Sequence, residues 1–334
     1  MANKKFKSGL IVFIVIFAVI IGTGVASFFL PESSKPTVNA NVSVSQGFGK
    51  NITFKKFTKQ RKDYIAVLYI EGTIQAAGNT YNQAWIANTI KDLKNDSKNK
   101  GIILYIDSPG GTVYESDETY LLLQDYKSSG KKVYAYMGSL AASGGYYIAC
   151  AAEKIYANRN TLTGSIGVIS GSAIDLSEFL EYHGIKYTTV HAGKNKNMGN
   201  YNEPFTEEQE AIMQSIADEC YDQFTWIVAL SRNIPTKELL PLCDGRVYTA
   251  KQALNNKLID RISSWDQAVK DAKKACGDEN LSEVVFRYQK QKGLFDSMFE
   301  IISLIKGNKT NTPEGIPDAV WDKMNITSPM YLYQ

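Results

Sequence analysis

The stretch best suited to chemistry is Gly138-Ser139-Leu140-Ala141-Ala142-Ser143-Gly144-Gly145, which places one hydroxyl, Ser143, among residues too small to crowd it. Glycines after the serine allow a close backbone approach. The apolar residues 146–152 continue with helical character, so first-turn N–H groups would face whatever lies at the hydroxyl. The same residues also fit a plainer role, a serine N-cap followed by glycines for tight packing. A second glycine-rich stretch, Asp107-Ser108-Pro109-Gly110-Gly111, fits either a Pro-Gly turn or a backbone donor for an oxyanion. Such a donor is worth several kcal/mol in a transition state.

A serine nucleophile needs a base. The chain has two histidines, His183 and His191. His183 falls at an expected helix C-terminus, where it complements the dipole, and His191 precedes Ala192-Gly193 in a loop; neither announces a triad. Lysine is the other candidate, because an ammonium withdrawn from water gives up its proton readily enough to activate a hydroxyl. Gly193-Lys194-Asn195-Lys196-Asn197-Met198-Gly199 supplies two lysines, in a pattern that also fits a solvated basic loop.

The elements that would position these groups alternate along the chain. Continuous apolar runs at 64–70, 101–107 and 132–137 read as strands buried on both faces, with a short strand at 155–157. Helical spacing recurs at 84–93, 114–126 and 143–153. This alternation predicts an α/β fold with a largely parallel sheet, whose sites lie at the carboxyl ends of strands. Both glycine-rich stretches follow strands and are expected to converge. Farther on, helices are expected at 175–182, from the capping-box pair Thr206 and Gln209 to about Arg232, at 249–256, at 265–276 and, amphipathically, at 295–305, with an extended segment at 187–190 and a loop at 306–315.

The 334 residues carry a formal charge of +3, equal to the contribution of Lys4, Lys5 and Lys7 alone; no acidic residue precedes Glu32. Nothing in that balance argues for nucleic acid. Leu10 to Leu30 is uncharged and long enough to cross the hydrocarbon core of a bilayer. The lysines before it predict a cytoplasmic N-terminus and a body outside. A cleaved signal peptide is the rival, since Gly24-Val25-Ala26 resembles a cleavage site, but the apolar run continues through Leu30. The expected organisation is a basic N-terminus (1–8), a transmembrane anchor (9–30), a linker (31–58), a catalytic body (59–305) and a flexible tail (306–334). Cys150, Cys220, Cys243 and Cys276 lack metal-ligand spacing and read as free, largely buried thiols. No cofactor or metal is expected.

Asp107-Ser-Pro-Gly-Gly111, Met137-Gly-Ser-Leu-Ala-Ala-Ser-Gly-Gly-Tyr-Tyr147, Leu162-Thr-Gly-Ser-Ile-Gly-Val168 and Asp244-Gly-Arg-Val-Tyr248, in this order behind an N-terminal anchor, resemble the signal peptide peptidase A family. The likeness covers about 60–275. It implies a membrane-anchored serine peptidase with a Ser/Lys dyad and a ClpP/crotonase-like fold of repeated ββα units. By the same resemblance Ser143 is the nucleophile and Lys196, 53 residues downstream and three after Gly193, the general base, with Lys194 as fallback. Ser165 matches the serine that holds the lysine. Gly111, with the N–H of Gly144, matches the oxyanion hole, Gly110 replacing Gly111 if the turn is shifted. Expected partners are peptide substrates such as signal-peptide remnants, membrane lipid around the anchor, and further copies of the chain in a ring whose neighbours share sites.

Two other classes compete. A crotonase-like enzyme would use the same oxyanion geometry on an acyl thioester, but coenzyme A chemistry belongs in the cytosol. A catalytically inactive scaffold would only bind peptides or membrane partners. Finally, the tail Ser328-Pro-Met-Tyr-Leu-Tyr-Gln334 is apolar for a terminus and is expected to dock on its own or a neighbouring subunit, in the substrate groove.

Overall fold

The computed structural model describes residues 60–290 and 330–332. The chain divides into two compact units, Met1–Thr53 and Phe54–Gln334, and every described residue belongs to the second. The expected anchor, linker, 295–305 helix and 306–315 loop lie outside the described residues. Among the described residues no helix is long and apolar enough to cross a membrane.

The sheet is built from the runs that looked continuously apolar. Strand β1 (Tyr64–Glu71) pairs in parallel with β2 (Asn99–Ser108), and helix α1 (Gln83–Asn95) connects them. Asn82 opens α1 by accepting the N–H of Trp85. After β2 come the short β3 (Gly110–Thr112), α2 (Val113–Ser128) and β4 (Lys132–Ala142), and β4 pairs in parallel with β2. Alternation along β1 explains the unbroken apolar run. Ala66, Leu68 and Ile70 enter the main core, whereas Ile65 and Val67 enter a second cluster on the other face. Tyr134, Tyr136 and Tyr156 line that second face. Trp265 crosses Tyr105 and Tyr136 edge-on there, with ring centroids 5.5 and 5.3 Å apart.

Strand β4 is the pivot of the architecture. Its first half, Tyr134 to Met137, pairs with β5 (Lys154–Ala157), and its last residues, Leu140 to Ala142, pair with β6 (Leu162–Gly164). Between the two lies Gly138, where an added Cβ would come within 3.3 Å of both Tyr105 Oη and Asp107. The apolar spacing ends at Met137, so the strand was expected to stop there. It runs on because Thr163 Oγ1 donates to the Ala141 carbonyl and Leu140 N–H donates to Asp107 Oδ1.

Helix α3 (Gly144–Ala149) follows β4 directly. Then come α4 (Ser177–Tyr182), the long α5 (Glu207–Arg232), α6 (Thr236–Leu239), β7 (Val247–Thr249), α7 (Ala250–Asn255), β8 (Arg261–Ile262), α8 (Trp265–Ala275) and β9 (Ser282–Phe286). The Thr206–Gln209 capping box forms as the sequence implies. The pairings are parallel throughout except β6 with β7, which gives a mostly parallel α/β sheet in the order β7-β6-β4-β2-β1-β9, with β5 and β8 branching from β4. Residues 187–190, expected to be extended, form no strand. A second, two-stranded sheet joins β3 to β10 (Met330–Leu332).

Candidate active site

The two glycine-rich stretches do converge, because β2 and β4 are neighbours. At the end of β4 the backbone breaks sharply. Ser143 has φ 53 and ψ −118, a conformation costly for a residue with a Cβ, by about 1–3 kcal/mol. Its N–H donates to the Gly164 carbonyl at 2.8 Å and its own carbonyl accepts from Tyr147 at 2.9 Å, so both neighbours fix the turn. The side chain does not cap helix α3. Its Oγ is buried and has no hydrogen-bond partner among the described residues. The N-cap role is therefore not taken up: an N-cap would have its oxygen satisfied by the first turn, and that bond is not made.

Gly144 and Gly111 are glycines for a visible reason. A Cβ on Gly144 would lie 2.4 Å from Ser116 Oγ and 3.2 Å from the nitrogen of Gly111. A Cβ on Gly111 would lie 1.8 Å from the Ile74 carbonyl oxygen. Lacking both, the backbone at 110–111 packs against the start of α3. Ser108, between them in the fold, ties the turn: its hydroxyl donates to the Gly72 carbonyl at 2.6 Å and accepts from Gly110 N–H at 3.1 Å. On one side of β3 the Gly110 carbonyl accepts from Ile74 N–H at 2.8 Å and Thr112 N–H donates to the Ile74 carbonyl at 2.9 Å. Backbone alternation turns the N–H and carbonyl of Gly111 to the opposite edge. Ser108 and Ile74 carry no chemistry themselves and were not singled out from the sequence; the Ser-Pro-Gly-Gly spacing was the available signal for the first, and nothing local signals the second.

Ser165 follows the carbonyl that holds Ser143. It is buried, sits at φ 51, and donates its N–H to Arg246 at 2.8 Å, which couples it to the Asp244–Tyr248 stretch. Beside it opens a cavity of about 450 Å³ lined by Gly167, Val168, Gln214, Tyr221 and Asp244. Helix α3 is anchored from below. Tyr146 donates to the Leu258 carbonyl at 2.8 Å, and Tyr147 donates to Asp117 at 2.7 Å while accepting from Gln223.

The lysines lie elsewhere in this single chain. Lys196 is exposed in a run of turns, and since Ser143 Oγ has no partner among the described residues, neither Lys194 nor Lys196 hydrogen-bonds it in this chain. Lys194 is paired on the surface with Glu208, its side chain 77 % exposed. The histidines are not substitutes. His183 Nδ1 contacts the Phe179 carbonyl at 2.9 Å and His191 Nδ1 the Gly193 carbonyl at 3.2 Å, both exposed. All four cysteines are thiols, and burial pushes Cys150 and Cys243 up to about 12.

The arrangement is a bare serine at a strained strand-to-helix turn, with glycine backbone around it. The profile of Peptidase family S49 matches residues 125–278, and that of Clp protease matches residues 57–183. A protein of Enterococcus faecium described as a signal peptide peptidase SppA is 32 % identical over 282 residues, which cover 80 % of each chain. The chloroplastic serine protease SPPA of Arabidopsis thaliana is 33 % identical over 61 % of this chain and 30 % of its own. Among solved structures, ClpP1 of Listeria monocytogenes is matched at a TM-score of 0.42 and 16 % identity, over 60 % of this chain and 93 % of that one. A buried serine that caps no helix, framed by closely packed glycines, thus sits where the sequence matches serine peptidases, and the chain belongs to peptidase family S49, the signal peptide peptidase A family of serine endopeptidases.

Proposed function

We infer that this chain is a membrane-anchored serine endopeptidase that cuts remnant signal peptides, with Ser143 as nucleophile and Lys196 as general base. The observation that carries this reading is the Ser143 hydroxyl: buried, unbonded, and placed on a positive-φ residue where the Gly144 backbone meets the Gly111 nitrogen. Attack by Oγ on a peptide carbonyl creates an oxyanion, and the N–H groups of Gly111 and Gly144 stabilise it. Lys196 takes the serine proton and returns it to the leaving amine; Ser165 orients the lysine. Water then releases the acyl-enzyme through the same base.

In one isolated chain Lys196 stands in water, which is a poor place for a base. The reading therefore has a neighbouring copy in a homo-oligomeric ring complete the site. An exposed apolar run supports that: Ile174, Leu176, Phe179, Tyr182, Ile185 and Tyr187 are all exposed on the segment leading into the lysine loop. The uncharged segment from Leu10 to Leu30 supports an anchor with the body outside the cytoplasm. Substrates left in the bilayer would then meet the site at its outer surface.

The test uses the full chain in detergent or lipid with a fluorogenic peptide derived from a signal sequence. Ser143→Ala and Lys196→Ala each abolish hydrolysis, while Lys194→Ala does not. Mixing the two inactive variants restores part of the activity if neighbours share sites. Hydrolysis that survives Ser143→Ala defeats the assignment, and hydrolysis lost in Lys194→Ala but kept in Lys196→Ala moves the base.

A further inference from the structure

Strands β2 and β4 do not run in step to their ends. Ile106 stands opposite Met137 and Ser108 opposite Ala141, so the single residue Asp107 faces the three residues Gly138, Ser139 and Leu140. The extra residues form a bulge, a device that re-aims a strand, and Ser143 follows Leu140 by three residues. A bulge takes backbone groups out of the ladder, and here side chains receive them. Asp107 Oδ1 accepts the Leu140 N–H at 3.1 Å and the Ser139 hydroxyl at 2.7 Å. From the other flank the buried Thr161 hydroxyl donates to the Gly138 carbonyl at 2.6 Å. Gly138 packs so closely that an added Cβ would lie 3.2 Å from the Cβ of Asp107.

Asp107 also stands where the other arm of the site departs. Its carbonyl accepts from Gly72 N–H at 3.0 Å, which ties it to the end of β1, and Gly111 follows it by four residues. Through its backbone this residue holds the strand that leads to Gly111, and through its carboxylate the strand that leads to Ser143. We propose that Asp107 is a positioning residue that sets the gap between two arms of the site, Ser143 with the Gly144 N–H on one and the Gly111 N–H on the other. The placement stands on the bonds just described; its catalytic consequence rests on the peptidase reading. Hydrogen bonds to a carboxylate are stronger than neutral ones, and a misplacement of about 1 Å in a catalytic constellation can cost about 10²-fold in rate. What the bulge needs at position 107 is an acceptor of the right reach rather than a charge.

The test uses the full chain, the reporter peptide and an aldehyde of the same peptide, whose adduct with Ser143 carries its oxygen where the oxyanion forms. Asp107→Ala lowers kcat by roughly 10–10²-fold with KM nearly unchanged, and it weakens aldehyde inhibition by the same factor as kcat/KM. Asp107→Asn, whose side-chain oxygen accepts the same two bonds, stays within about threefold on both measures. A merely structural loss would lower the melting temperature and the amount of active chain and leave the aldehyde affinity of the surviving chain as it was. That result overturns the proposal, as does wild-type kcat in Asp107→Ala. Asp107→Asn as damaging as Asp107→Ala overturns it too, because charge and not placement would then count. Should the alanine variant not fold, Asp107→Glu replaces it, keeping the charge and moving the acceptor by one bond: parallel losses in kcat and aldehyde affinity uphold the positioning role, and wild-type behaviour removes it. If no Ser143-dependent hydrolysis exists at all, the peptidase reading fails separately, and amide protection decides the positioning alone. Protection of the Ser143 N–H, which is bonded to Gly164, falls together with that of Leu140 in Asp107→Ala or, where that variant does not fold, in Asp107→Glu, and both are kept in Asp107→Asn; a loss confined to Leu140 overturns the proposal.

Discussion

The turn that carries Ser143 and the loop that carries Lys196 are built in opposite ways. At the turn, the stabilising bonds are long-range: Ser143 to Gly164, Ser165 to Arg246, Gly110 and Thr112 to Ile74. In the loop the backbone bonds are local, from Lys196 to Gly193, Met198 to Asn195 and Asn200 to Asn197, each three residues apart. The turn is buried; most of 191–200 is exposed. Long-range bonds hold a conformation against its own strain, as a positive-φ serine requires. Local turns order a loop without fixing it to the core. The contrast teaches that one chain prebuilds the half of the proposed site needing accurate placement, the nucleophile with its backbone donors, and leaves the base where a second surface must cover it.

The largest effects should break that comparison outright. Ser143→Ala should cost at least about 10⁴-fold in kcat, measured on a fluorogenic peptide, since removing a nucleophile leaves only binding and backbone donors. Lys196→Ala should cost about 10²–10⁴-fold, the range for a general base, while Lys194→Ala stays within a few-fold because it removes only a surface ion pair. A silent Lys196→Ala would mean that the loop is scaffold and the comparison compares nothing. Next comes Gly144→Ala. Its Cβ would press on Ser116 Oγ and on the Gly111 nitrogen, which should lower kcat by about 10²–10³-fold, as losing an oxyanion donor does, with KM nearly unchanged. Adding Ser116→Ala clears the side-chain part of that clash and should recover some of the loss. Gly111→Ala should instead lower the melting temperature, because its Cβ meets the Ile74 backbone and no side chain can yield.

Much of the turn was legible in the sequence because close backbone approach is written in residue type. Small-residue spacing marked Ser143 and both glycine-rich stretches, the family resemblance named Gly111 and Gly144 within them, and the structure supplies the close contacts that a Cβ would meet at both glycines. The buried strands β1 and β2 were legible for the same reason, since parallel strands covered on both faces must be apolar at every position. What escaped was decided by partners far away. The second half of β4 reads as loop because its residues are small, and pairing with β6 and with Ser108 of β2 makes it a strand. Strand β9, with Glu283 as its second residue and Val285 exposed, lacks a continuous apolar run because it ends the sheet among the described residues. For the lysine, residue type states what a base can be but not where it stands; that depends on what covers the loop. The four expected thiols and the Thr206 capping box needed only local information, and both are found.

The smallest effect sharpens the comparison from the loop side. Lys194 and Asn195 both hydrogen-bond the Glu208 carboxylate, which holds it below its ordinary value of 4.5. A carboxyl whose folded pKa is depressed contributes stability that is present above its unfolded pKa and lost as pH falls through the folded one. The tie between the loop and α5 should therefore be constant from pH 8 to pH 5 and disappear only in more acidic solution. The group is on the surface, so salt should weaken the tie at any pH. The protection of amides 193–197 relative to their intrinsic exchange at each pH should fall in wild type only on the acid side of 4.5, whereas Glu208→Gln should show the lower protection throughout. Hydrolysis at pH 7 then separates two ways of completing the site. If the loop reaches a neighbouring Ser143 as it stands, Glu208→Gln changes kcat by less than about twofold, in line with a surface pair. If the loop must first leave α5, releasing Lys194 raises kcat or lowers KM, and the half of the site left open by one chain is a moving part rather than an edge waiting to be covered.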